Sequence, residues 1–158
     1  MSKPKPQAIL DLERRLDIDI PDFTGKQPDF GDDVFFQTNT EGLVSTLSLR
    51  GCGLKEMDWI KEFPHLISLN LSGNQITVIN GLDNLSALTE LNLARNQITV
   101  INGLDNLTAL TGLNLARNQI TVINGLDNLT ALTGLDLSDN QITVINGLDK
   151  LSALTELN

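Results

Sequence analysis

The sequence contains no tyrosine, one tryptophan and five phenylalanines. Aromatic rings therefore cannot fill a core for 158 residues, and stacked aliphatic side chains must do so. A single cysteine, Cys52, excludes an intrachain disulfide and removes any need for an oxidising compartment. The only histidine, His65, follows Pro64 with no Cys or Asp at ligand spacing, and reads as a surface or boundary residue. Positive charge is short as well. Eleven Lys and Arg face 20 Asp and Glu, for a net charge of -9, which disfavours nucleic acid and anionic membrane as partners. No apolar run approaches the ~20 residues needed to span a bilayer. The opening stretch, MSKPKPQAILDLERRLDIDIP, is broken by Asp11, Glu13, Arg14 and Arg15 and does not read as a secretory signal. A cytoplasmic location is the resulting expectation, with export by a signal-less route as the alternative. There is no GxSxG, HExxH, CxxC or phosphate-binding glycine loop, so no catalytic residue, cofactor or metal site is expected.

What the chain does have is self-similarity every 22 residues. Gln97–Leu110 reads QITVINGLDNLTAL, and Gln119–Leu132 repeats it letter for letter. Five complete units run Val44–His65, Leu66–Ala87, Leu88–Ala109, Leu110–Ala131 and Leu132–Ala153, and a sixth begins at Leu154. In the third unit the apolar positions are Leu88, Leu91, Leu93, Ile98, Ile101, Leu104 and Leu107. Leu91 and Leu93 have the strand period of two, so each unit should begin with a short strand. Successive strands should then stack about 4.8 Å apart in a parallel sheet. The return path carries an Asn-Gly turn pair at Gly81, Gly103, Gly125 and Gly147. The LDNLTAL segment after it is too short for a stable helix and should form 3₁₀ or single turns. The expected fold class is an α/β repeat solenoid, with a parallel concave β-sheet, a 3₁₀ or short-turn convex side and an N-terminal cap.

Residues 1–43 lack the repeat and are expected to form that cap. Ala8–Leu16 suits a short amphipathic helix with Ile9, Leu12 and Leu16 on one face. Pro21, Gly25, Pro28 and Gly31 mark irregular chain, and Val34–Thr38 reads as a cap strand antiparallel to the first repeat strand. An uncapped first coil would expose Leu47, Leu49 and an open sheet edge. Residues 44–158 form the repeat array. Leu151, Leu154 and Leu157 have no covering segment in the sequence. Further native residues or end-to-end pairing of two chains are the expectations there.

Two sets of residues stand out within the array. Cys52, Asn74, Asn96, Asn118 and Asn140 occupy the turn after the strand. A buried amide donates and accepts at once, so stacked asparagines can satisfy the backbone groups that a tight turn leaves unpaired. The second set faces outward on the strands, where a partner would lie: Arg50, Asn70, Glu90, Asn92, Arg95, Asn114, Arg117, Asp136 and Asp139, with Ala94 and Ala116 between them. Arg95 and Arg117 share a repeat position. They either grip an acidic or phosphorylated segment or pair with Glu90 or Asp139. Asp83, Asp105, Asp127 and Asp149 form a convex column read as solubilising, and Val78, Val100, Val122 and Val144 a partly exposed flank.

The pattern LxxLxLxxNxIxxIxxLxxLxx over Val44–Asn158 resembles the 22-residue class of leucine-rich repeats, which includes internalin-like bacterial proteins and phosphatase-regulator proteins. Cysteine in the first unit at the asparagine position resembles the Asn/Cys alternation of that class. The resemblance implies a non-enzymatic scaffold that binds another protein through its concave sheet. Two alternatives are a regulatory or targeting segment of a larger enzyme, such as a repeat-bearing bacterial GTPase, and a structural spacer without a specific ligand.

Overall fold

The computed structural model describes residues 4–23 and 34–158, so the expected irregular positions Gly25, Pro28 and Gly31 lie outside the described residues. A helix α1 spans Gln7–Leu16. Strands follow at β1 Val34–Thr38, β2 Val44–Leu49, β3 Ser68–Asn70, β4 Glu90–Asn92, β5 Gly112–Asn114, β6 Gly134–Asp136 and β7 Glu156–Leu157. They form one sheet in chain order, β1 antiparallel to β2 and every later pair parallel.

The 22-residue period becomes sheet register directly. Leu47, Leu69, Leu91, Leu113, Leu135 and Leu157 pair in sequence across β2 to β7. One residue of slip would turn this whole leucine column out to solvent, so burial enforces the register. Behind the sheet, Leu88, Leu93, Ile98, Ile101, Leu104 and Leu107 are fully buried, and their equivalents in neighbouring coils continue the same core. The chain returns on the convex side through i→i−3 turns. Leu85 N–H donates to Leu82 C=O at 3.0 Å, and Leu88 N–H to Leu85 C=O at 2.9 Å. Only the first coil lengthens this into a 3₁₀ helix, at Asp58–Glu62 among the described residues.

The Asn-Gly corner shows why the coils repeat so closely. Gly125 has φ +67°, and a Cβ there would sit 2.6 Å from the Ile101 carbonyl oxygen of the preceding coil. Both the left-handed backbone and the close approach of the next coil require glycine.

The aromatic residues concentrate at the N-terminal end. Phe36 is fully buried, Trp59 and Phe63 meet edge to face at 6.2 Å, and Phe23 contacts Phe35 at 5.6 Å. Ile9 and Leu12 of α1 join the same core. Chain 21–23 runs along the free side of β1: Phe36 N–H donates to Pro21 C=O at 3.0 Å, and Phe23 N–H to Phe36 C=O at 2.9 Å. An edge strand with its hydrogen bonds already taken is a poor template for further pairing. Glu13 fixes α1 to this segment, accepting from Lys5 Nζ at 2.6 Å and from Ile20 N–H at 2.7 Å. The Glu13 hydrogen bond raises Lys5 above the ordinary lysine value against the opposing cost of burial, with Asp19 assisting.

The opposite end differs from its sequence expectation in one respect. Leu151 is buried rather than bare, because the turn preceding β7 folds over it; Leu154 is half-buried and Leu157 exposed. The open surface there is made by Ile145, 67% exposed where its equivalent Ile123 is 2%.

Candidate functional site: the concave sheet

Along each short strand the inward leucine is flanked by two outward positions. The first row, in register, is Thr46, Ser68, Glu90, Gly112, Gly134 and Glu156; the second is Ser48, Asn70, Asn92, Asn114 and Asp136. Beyond them the chain turns at Gly51, Gly73, Arg95, Arg117 and Asp139, all with φ between +53° and +70°.

The second row is tied into the backbone, and its first two members, Ser48 and Asn70, are buried, which corrects the expectation of Asn70 as an exposed contact residue. Asn70 Oδ1 accepts from Ser72 N–H, Asn92 Oδ1 from Ala94 N–H, Asn114 Oδ1 from Ala116 N–H and Asp136 Oδ1 from Ser138 N–H, each at 3.0 Å. These are Asx turns, which end the strands after three residues. The same turns correct the expectation for Ala94 and Ala116. They are 8% and 7% exposed, because the chain bends inward at the strand end instead of continuing its alternation.

The turn asparagines lie one step further on, and they bind backbone rather than one another. Asn118 Nδ2 donates to Leu115 C=O of its own coil at 2.9 Å and to Leu93 C=O of the preceding coil at 3.0 Å, while its Oδ1 accepts from Ile98 N–H at 3.0 Å. Asn74, Asn96 and Asn140 make the equivalent bonds to Leu49, Leu71 and Leu115 of the preceding coils. Cys52 occupies this position in the first coil, with Sγ 3.7 Å from Arg50 C=O. A threonine column adds a further set of inter-coil bonds. Thr89, Thr111, Thr133 and Thr155 donate from Oγ1 to the carbonyls of Ile67, Thr89, Thr111 and Thr133.

Arg95, Arg117 and Asp139 sit side by side at the end of the strands. Arg117 Nε lies 3.0 Å from Asp139 Oδ2, and both side chains are more than half exposed. Arg95 has no carboxylate within ion-pair distance among the described residues. Glu90 does not reach it. Its Oε1 instead accepts from the Thr111 hydroxyl at 3.1 Å, and the carboxylate lies over Gly112 on the next strand.

The first row carries a feature that the sequence reading did not single out. Gly112 and Gly134 are adjacent, and their missing side chains leave a groove of about 270 Å³ between Glu90 and Glu156. A Cβ on Gly112 would overlap the Glu90 carboxylate, whose Cδ stands 2.8 Å away, and Glu156 Oε2 comes within 4.0 Å of a Cβ on Gly134. The two carboxylates thus lean inward over neighbouring glycines. The signal was present at the 22-residue period, where Ser68, Glu90, Gly112, Gly134 and Glu156 break an otherwise uniform repeat.

Leucine rich repeat family models match residues 43–98 and 64–120, and a second such model matches 128–144. Together they cover more than half of the chain. The chain belongs to the leucine-rich repeat family. Among solved structures, this repeat protein is similar to an internalin, InlF, from Listeria monocytogenes, at 32% identity and a TM-score of 0.55 over 66% of this chain. It is also similar to the functional domain of InlJ from Listeria monocytogenes, which includes a cysteine ladder, at 25% identity and a TM-score of 0.65 over 84% of this chain. The repeat protein spans 38% of the first of those chains and 31% of the second. No curated protein matches it significantly. Among the described residues no group of three or more His, Cys, Asp and Glu is placed to hold a metal ion, and no helix is long and apolar enough to cross a membrane.

Proposed function

We propose that this repeat protein is a non-catalytic, cytoplasmic scaffold whose concave sheet binds another protein, with neither nucleic acid nor membrane as its partner. The observation that supports this most is the relief of the concave face. Apart from Glu90, Asp136 and Glu156, its outward rows carry only threonine, serine, glycine and asparagine, so a partner chain can approach the sheet closely. Charged groups without an ion-pair partner among the described residues stand at both ends of the strands, Glu90 and Glu156 at the start and Arg95 at the end. The convex side is built of short turns that carry Asp83, Asp105 and their repeats. A concave surface with a few convergent polar groups is where recognition concentrates. Among the residues named from sequence, Glu90 and Arg95 are assigned contact roles. Asn70, Asn92, Asn114 and Asp136 are assigned to shaping the surface, since their Oδ1 atoms are already committed. Arg117 and Asp139 bind as a neutral pair, and Arg50 borders the first coil.

Photo-crosslinking tests the face directly. A photoreactive residue at Ser68 or Arg95 should capture a partner from a lysate of the source cells, and the same residue at Thr108 or Thr130 on the convex turns should not. Equal capture from both faces, or capture from the convex side alone, would overturn the reading. End-to-end pairing of two copies, if it occurs, would use the apolar surface at Ile142, Ile145 and Leu157; sedimentation over a concentration series tests that separately.

A further inference from the structure

The concave groove has a charge and shape that select the side chain it takes. Gly112 and Gly134 lie on its floor; the Glu90 carboxylate covers Gly112, and Gly134 presents peptide backbone to an incoming group. Its walls carry Glu90 and Glu156 from opposite sides, with Asp136 on the adjoining row. None of the three has a cation within ion-pair distance among the described residues, whereas Arg117, Lys150, Arg14 and Arg15 are each already paired with an aspartate. Glu90 is held in place from below: the Thr111 hydroxyl donates to its Oε1, and the second carboxylate oxygen is left over the glycine floor.

We propose that this notch receives an arginine side chain from an extended segment of the partner protein. Resting on the concave-face reading, the inference narrows it to one contact. Arginine suits the geometry better than lysine. A planar guanidinium can lie flat on the Gly134 peptide while its fork of five N–H donors reaches carboxylates on two sides. An ammonium on a flexible stem can approach only one wall closely. The net charge of -9 would also draw a basic segment toward this face before contact.

The test uses the full chain and a minimal probe, N-acetyl-arginine N-methylamide, followed by ¹H–¹⁵N chemical shifts. The amides of Gly112 and Gly134 should move saturably with the arginine probe. The lysine analogue should bind several-fold more weakly, and the citrulline analogue, which keeps the shape without the charge, should leave them still. The double variant Glu90→Gln, Glu156→Gln should weaken arginine binding at least tenfold. Gly134→Ser introduces the side chain that Ser68 carries at the same repeat position and should block the notch while leaving both carboxylates in place. Equal shifts with citrulline, non-saturating shifts, or unchanged binding in the double variant would each overturn the proposal. If crosslinking from Ser68 persists when the arginine contact fails, only the arginine assignment is lost; if crosslinks move to the convex turns, the concave reading itself is lost.

Discussion

Asparagine does two distinct jobs in this molecule, separated by four positions in the repeat. Asn114 closes a strand with an Asx turn, while Asn118 stitches two coils together through four hydrogen bonds to backbone. Removing Asn118 leaves the Leu93 and Leu115 carbonyls and the Ile98 N–H without this partner, while Ala116 C=O keeps its bond from Arg95 N–H. Asn118→Ala should therefore cost about 1–3 kcal/mol, read by denaturant unfolding. A loss near zero would show that water satisfies the turn. The next residue along the concave rim works against stability. Arg95 has φ +56° where the first two coils use Gly51 and Gly73. A non-glycine residue in that region is strained by roughly 1–2 kcal/mol. Arg95→Gly should relieve it, less the entropy that glycine adds to the unfolded chain, for a net gain of about 0.5 kcal/mol. If it weakens partner capture at the same time, the strained position is retained for its guanidinium.

At the level of elements, β1 and the first coil are the least repetitive part of the chain and hold most of its aromatic side chains. Phe36 pairs with Leu47 on one side and with Pro21 and Phe23 backbone on the other. It is fully buried beneath the segment that seals the sheet edge. Phe36→Ala should cost about 3–5 kcal/mol in a site that cannot collapse around the lost ring. Because each coil contacts only its neighbours, the damage should appear as loss of amide protection first in β1 and β2. Uniform loss along the array would mean that the coils unfold as one unit.

Across the whole molecule, burial is even through the central coils and drops at the last one. Ile79, Ile101 and Ile123 are essentially buried, while Ile145 at the same repeat position is 67% exposed, and Asn140 is only half-buried where Asn74, Asn96 and Asn118 are buried. Hydrogen exchange should therefore be slowest at Leu91 to Leu115 and rise through Leu137 to Leu157, since end coils open at lower free energy than central ones. Protection as strong at Leu157 as at Leu113 would show that this end is covered in solution.

The 22-residue leucine period determined the solenoid, the parallel sheet and its register, because a periodic apolar column can be buried in only one way when coils stack. The same periodicity made the two asparagine columns visible as columns. It marked the turn column as buried partners of the backbone and the strand column only as an outward face; that Asn92 and Asn114 also cap their strands emerges only from the bend after the strand. That bend also turned Ala94 and Ala116 inward, against simple alternation. The acidic notch was latent in the same period, since Glu90, Gly112, Gly134 and Glu156 share one repeat position, but the lean of the two carboxylates over the glycines was decided by the tertiary structure. Glu90 and Glu156 lie 66 residues apart in the chain, and they face one another only because three steps of sheet stacking place two bare glycines between them.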